Sequence, residues 1–431
     1  MNTLFTHCTL FPGTDSSLIN DAFLAVSGNL ITHLGEMNDV PEFGNARIID
    51  CRGKLLMPGL INGHNHCAMT LFRGLADDLA LSDWLHHHIF PAEKKHVSKE
   101  MVYWCSRLAA AEMLLSGTTC VADGYFFSGE AAKALRDCGM RAVVGHGIVD
   151  FPAPSVSDPA KNIEAVASFL DEWQGADPLI TPAVFAHAPY TCSPKTLIRA
   201  KELADRRGVR FFTHLAESQR EAEMIIDLQA QTPLGHLEHL GILNNNAILI
   251  HTVWLHDQDL DLLATTGAHV VTCPQSNMKL ASGVARVPDM LKRNITVGLG
   301  TDGCASNNSL DMFREMDMLA KLHKLSYLEA TTLPAQTAFG TATSANAKLL
   351  GLPDIGTLKV GMKADLVVLD LQKPHLTPFY NPDLLVYAAS GRDVESVMVN
   401  GRMVVEKRKV LSFDLQETMT KIEEIAGTLK A

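Results

Sequence analysis

Eight short apolar runs recur between residues 59 and 363, and most are followed by an amphipathic stretch of helical period. They are Leu60 to His66, Thr119 to Asp123, Ala142 to Val149, Thr181 to His187, Arg210 to His214, Ala247 to His251, His269 to Cys273 and Thr296 to Thr301. Apolar strands alternating with helices predict βα units around a parallel sheet, and eight of them predict a (β/α)8 TIM-type barrel. After the fourth run, Leu197, Ala200 and Ala204 fall at helical spacing before Gly208 ends the segment. The stretch from 67 to 118, after the first run, is longer than a simple βα loop and carries helices of its own, which suits a lid.

The two ends of the chain have a different texture. Ala22-Phe-Leu-Ala-Val-Ser and Leu30-Ile-Thr-His-Leu at one end, and Ala364-Asp-Leu-Val-Val-Leu-Asp and Val394-Glu-Ser-Val-Met-Val at the other, read as antiparallel strands, the last turning back through Asn400-Gly401. One small β-sandwich domain assembled from both termini is the simplest arrangement. The expected division is therefore 1–58 and 364–431 for that domain, with a C-terminal helix, and 59–363 for the barrel.

With 47% hydrophobic residues the chain can bury a large core. Its net charge of −11, with no basic run, argues against nucleic acid or an anionic membrane as partner. The nine scattered cysteines lack a C-x-x-C pair, and no signal peptide or membrane-length apolar run is present, so the protein reads as cytoplasmic with reduced thiols. Association into a homo-oligomer is compatible with this reading.

In a barrel of this kind chemistry collects at the C-terminal strand ends. Strand one ends in His64 and His66, two apart and so on one face. Strand two ends in Asp123, strand four in His187, strand five in His214 with Glu217 three residues on, strand six in His251, and strand eight in Asp302; strand seven ends in Cys273-Pro-Gln-Ser-Asn. His64, His66, His214 and Asp302 make a set of three imidazoles and a carboxylate for one divalent metal ion, with a position left for water. Such an ion lowers the pKa of water from 15.7 to about 7, which points to a hydrolase or deaminase. Asp302 is then the general base and Glu217 the proton donor. His251 is either a fifth ligand or a hydrogen-bonding group that polarises the nucleophile, the second being preferred. Strand four has no lysine to bridge two ions, and the H-x-E with P-C-x-x-C pattern of another zinc deaminase class is missing.

These residues resemble the amidohydrolase superfamily, through Met57-Pro-Gly-Leu-Ile-Asn-Gly-His-Asn-His, Thr213-His-Leu-Ala-Glu, His251 and Gly300-Thr-Asp-Gly. More narrowly, Asp83-Trp-Leu, Phe90-Pro-Ala-Glu, His187-Ala-Pro-Tyr-Thr-Cys-Ser, Cys273-Pro-Gln-Ser-Asn-Met-Lys and Gly300-Thr-Asp-Gly-Cys-Ala-Ser-Asn-Asn are similar to the 5′-methylthioadenosine/S-adenosylhomocysteine deaminases. The resemblance implies one zinc ion and a small-molecule adenine nucleoside whose 6-amino group is replaced by oxygen. It also implies that Glu217 protonates ring N1, Asp302 shuttles the water proton and His251 holds the hydroxyl. Glu93 would bind the ribose hydroxyls, His187 the purine, and Trp84 would wall the pocket.

One departure bears on the substrate. Relatives taking the charged homocysteine tail are expected to offer arginines near the end of strand three, where this chain has His146 and Lys161, which favours the neutral methylthio tail. Two other readings compete. The same barrel and metal could act on a free base or triazine, such as guanine, cytosine or a chlorinated triazine, or the barrel could be a non-catalytic binding module. The tract His86-His-His88 has no carboxylate or cysteine beside it and receives no role.

Overall fold

The computed structural model describes residues 2–13, 15, 17–225 and 232–429. Its centre is an eight-stranded all-parallel sheet in sequential order. The strands are β1 (Leu60–Asn65), β2 (Thr118–Tyr125), β3 (Arg141–Ile148), β4 (Ile180–Ala186), β5 (Phe211–Leu215), β6 (Ala247–His251), β7 (His269–Thr272) and β8 (Val297–Leu299). Each lies within a few residues of an apolar run read from the sequence.

The period of two decides what each strand residue does. Ile61, Val143, Phe212, Ile248, Ile250 and Val271 point inward and fill the barrel, which is a packed core and not a pore. Leu60, Val144, Phe211 and Leu249 pack outward on the helices. His214 follows Phe212 by two residues, so the same alternation that buries the phenyl ring carries the imidazole to the upper mouth.

The seam between β8 and β1 is closed differently from the others. Every other neighbouring pair shares a ladder, whereas here side-chain amides join the strands. Asn346 Nδ2 donates to the carbonyls of Ile61 (2.6 Å) and Leu299 (2.7 Å). Asn62 Nδ2 donates to Thr301 Oγ1 (2.7 Å) and its Oδ1 accepts from Thr301 N (3.1 Å), while Asn65 Nδ2 donates to the carbonyl of Asp302 (2.7 Å). A side chain at Gly63 or Gly298 would collide with Asn346, which explains glycine at both places.

The terminal segments form one hydrogen-bonded sheet of nine strands, in which Lys54–Pro58 from the first end pairs with Leu366–Asp370 from the second. Phe5, Leu24, Leu56, Leu366 and Met398 share its core, so neither end could cover its apolar face alone. The Asn400-Gly401 turn is present, with φ of +49° and +77°. A buried ion pair, Arg141 with Asp365 at 2.7 and 3.1 Å, ties β3 to this sheet. The C-terminal helix Leu415–Gly427 packs on the helix Lys99–Leu115. All nine cysteines are unpaired and buried, and among the described residues no helix is long and apolar enough to cross a membrane.

Removing the seam amide should cost the barrel directly. Asn346→Ala leaves two buried carbonyls without a donor and is expected to lower the unfolding free energy by about 2–4 kcal/mol. Denaturant unfolding measures this, and a smaller loss than about 1 kcal/mol would mean that the seam is held elsewhere.

Candidate metal centre and its chamber

Three imidazoles meet at the mouth of the barrel. The ligand atoms of His64, His66 and His214 all lie within 4.8 Å of one another. His64 Nε2 faces His214 Nε2 at 3.2 Å, and Asp302 Oδ1 is 3.4 Å from both His64 Nε2 and His66 Nε2. His66 donates its Nδ1–H to the carbonyl of Gly124 at 2.5 Å, so its Nε2 turns a lone pair to the centre. Burial pushes His64 down to about 4 and holds His214 well below its ordinary range, which leaves these rings neutral at pH 7. Burial also works against the Asp302 carboxylate, but the hydrogen bond from His64 and the nearby imidazoles outweigh it and keep Asp302 ionised. Three imidazole nitrogens and one carboxylate converging on a single point, with two nitrogens opposed at hydrogen-bond distance, fit a divalent cation.

The remaining oxygen of Asp302 is also accounted for. Its Oδ2 accepts from Ser276 Oγ (2.7 Å) and Ser306 Oγ (3.0 Å), and its Oδ1 accepts from Gly303 N (2.8 Å). His251 stands outside the three-nitrogen group. Its Nδ1–H donates to Asn277 Oδ1 at 2.9 Å, and its Nε2 is 3.8 Å from Glu217 Oε2. Ala216, His251, Thr252 and Asp302 all take positive φ, between +45° and +72°, although none is glycine. Strain of this kind gathers where a backbone must aim side chains, here at three strand ends.

Beside this cluster lies a chamber walled by Trp84, Leu85, Phe90, Phe126, Phe185 and Leu280. Glu93, His187, Glu217, His251 and Asp302 reach into it. The helical run from Leu81 to His96, inside the long insertion after β1, supplies Trp84 and Glu93 and covers the mouth. Burial raises Glu217 above the usual carboxylate range, an effect that His251 opposes. Burial keeps His187 neutral, pushing it down to about 3, and its Nδ1 bonds with Thr191 Oγ1 at 2.9 Å.

Asp123, a strand-end residue, belongs neither to the chamber lining nor to the three-imidazole cluster. Its Oδ1 accepts from Cys67 N at 2.6 Å, so it braces the turn that follows His66. His86, His87 and His88 are exposed, and His87 pairs with Asp83 at 2.6 Å. His146 lies buried against Ser128 Oγ at 2.7 Å, and neither it nor Lys161 lines the chamber or its outer extension. The sequence reading assigned no role to Ser276, Asn277, Ser306 or Tyr125. The first two stand in the Cys273-Pro-Gln-Ser-Asn stretch at the end of strand seven and Ser306 in the Gly300-Thr-Asp-Gly-Cys-Ala-Ser stretch, which were the available signals; nothing local marks Tyr125.

A family model described as the amidohydrolase family matches residues 55–404. The chain belongs to the amidohydrolase family. Among amidohydrolase relatives, a 5-methylthioadenosine/S-adenosylhomocysteine deaminase of Syntrophobacter fumaroxidans is 48% identical over 391 residues, covering 90% of this chain and 89% of the relative. A 5′-deoxyadenosine deaminase of Methanosarcina barkeri is 42% identical over 417 residues, covering 96% and 95%. The crystal structure of an adenosine deaminase from Xanthomonas campestris with bound zinc superposes with a TM-score of 0.96 at 35% identity, covering 99% of this chain and 98% of that one.

Glu93 offers a pH test of the chamber. Burial pushes it up to about 7 from 4.5, against the hydrogen bond that Tyr125 Oη donates at 2.6 Å. The folded protein thus keeps this proton after the unfolded chain has lost it, so the stability it contributes is full below 4.5 and is lost as pH rises to about 7. Between pH 5 and 8, Glu93→Gln should remove a loss of about 2–3 kcal/mol, read from denaturant curves at the two pH values. Parallel pH dependence in protein and variant would contradict it.

Proposed function

We propose that this protein is a zinc-dependent hydrolytic deaminase of adenine nucleosides, 5′-methylthioadenosine and its close analogues foremost. The observation that carries the reading is one chamber in which a buried carboxylate suited to ribose, Glu93, faces the metal cluster and its proton-transfer residues. The relatives named above support the substrate class. His64, His66, His214 and Asp302 would hold the ion, and three nitrogens with one oxygen suit zinc. When bound, the ion supplies Lewis acidity that brings the pKa of water from 15.7 to about 7.

The protein's own groups manage the protons. Glu217, whose proton affinity burial raises, delivers its proton to ring N1 and makes C6 electrophilic. As the water oxygen bonds to C6, Asp302 takes the water proton, and the hydroxyls of Ser276 and Ser306 fix the carboxylate that receives it. His251, oriented by Asn277, holds the attacking oxygen; its place outside the nitrogen cluster supports this role over that of a fifth ligand. Asp302 passes its proton to the amine, the C6–N bond breaks, ammonia leaves, and the hydroxyl proton restores Glu217. Glu93 accepts the ribose hydroxyls in charge-assisted bonds while Trp84 and Phe90 exclude water.

The outer extension of the chamber supports a neutral 5′ tail. Phe126, Phe151, Pro152, Pro154 and Tyr190 line it beside the charged Glu93, Lys94 and Asp150, and no arginine does so among the described residues. A zwitterionic homocysteine tail would find no bidentate guanidinium there for its carboxylate.

An ammonia-release screen tests the reading. Adenosine, 5′-deoxyadenosine and 5′-methylthioadenosine should be turned over, guanine and cytosine should not, and a free base as the best substrate would overturn it. Glu217→Gln and Asp302→Asn should each lower kcat by about 10²- to 10⁴-fold. Within the series, kcat/KM for methylthioadenosine should exceed that for S-adenosylhomocysteine by about tenfold or more, the worth of one unmade charged contact. A preference for the homocysteine tail would refute the assignment of the outer chamber.

A further inference from the structure

Glu221 is a buried carboxylate that the mechanism above does not use. It is 1% exposed, does not line the chamber, and follows Glu217 by one helical turn of sequence. Its Oε2 accepts the backbone N–H of Glu217 at 3.0 Å. Its Oε1 has no hydrogen-bond partner among the described residues. The short helix it opens, Glu221–Met224, is four residues long, so stabilising that helix is not a sufficient reason to bury a carboxylate here.

What the bond holds is a strained turn. Ala216 sits at φ +50°, where a residue with a Cβ is disfavoured by about 1–2 kcal/mol. Its carbonyl is held from one side by Val253 N (3.0 Å) and Trp254 N (2.9 Å). Glu221 holds the other side. His214 needs none of this, because it is fixed by the β5–β6 ladder and by its own N–H bond to the carbonyl of His187 at 2.9 Å. The metal ligand and the proton donor, three residues apart, are therefore secured by different means.

We propose that Glu221 is the positioning residue of the proton donor: by accepting the Glu217 N–H it holds the bend at Ala216 that aims the Glu217 carboxyl into the chamber, without contributing to the metal cluster. The inference rests on the deaminase reading above. It makes the acid's aim depend on the reach of one acceptor oxygen and not on its charge. Gln at 221 keeps an oxygen at that reach, Ala has none, and Asp falls one methylene short.

The test measures kcat, KM, bound metal per chain and deuterium exchange at the Glu217 amide for the whole protein and its variants. Glu221→Ala should lower kcat by about 30- to 100-fold, as a displacement near 1 Å does, with KM and bound metal changed by less than about twofold. Its Glu217 amide should exchange about tenfold faster or more. Glu221→Gln should stay within about threefold of the parent in kcat. The proposal is overturned if Glu221→Ala keeps its kcat, or loses metal in step with rate. Should the Ala variant not fold, Gln against Asp decides: Gln active and Asp impaired supports reach, and the reverse order shows that charge matters and refutes it. Absence of ammonia release by the parent protein from every adenine nucleoside would sink the reaction assigned above, while the exchange rates would still judge the bond.

Discussion

The site depends on how the barrel closes. Seven strand pairs close by backbone ladders, but the eighth, between β8 and β1, closes through Asn62, Asn65 and Asn346 and one backbone bond from Asp302 N to the carbonyl of His64 (3.0 Å). A ladder would leave both strands regular to their ends. Side-chain amides instead satisfy the backbone while the chain departs from strand geometry, and Asp302 takes its φ of +62° there. The two strands that supply three of the four proposed ligands thus meet at the one seam where the backbone is free to aim them.

Around that seam the protein separates holding from reacting. His64, His187 and His214 are neutral because they are buried, and other rings are oriented through their second nitrogen, as in His66 to the Gly124 carbonyl and His251 to Asn277. The carboxylates divide by environment. Asp302, among imidazoles and hydroxyls, stays ionised, whereas burial pushes Glu217 toward the protonated form. Groups of one chemical type are thereby set to opposite tasks.

Much of this was legible in the sequence because it is local. A period of two within a strand brings Phe212 and His214 to one face, and the turn at a strand's end does the same for His64 and His66; their rings lie 4.6 Å apart and nearly perpendicular. Strand order then brings distant ends together, which is why His64, His214 and Asp302 could be grouped from spacing and fold class. Asp123 shows the limit of that logic. It occupies a strand end like the others, yet its carboxylate turns to the Cys67 amide and away from the chamber. Strand position alone does not state which way a terminal side chain bends.

The sequence by itself determined the barrel, the sheet shared by the two termini, and the identity of the residues at the strand ends, since apolar periodicity and turn chemistry are properties of neighbouring residues. Only the tertiary structure decided the supporting partners: Ser276 and Ser306 on Asp302, Asn277 on His251, Tyr125 on Glu93 and Asn346 across the seam. Most of these pairs are separated by 26 to 285 positions, and no local pattern links their members. Their hydrogen bonds exist because burial leaves each polar group no water to turn to, and burial is settled only when the whole chain has packed.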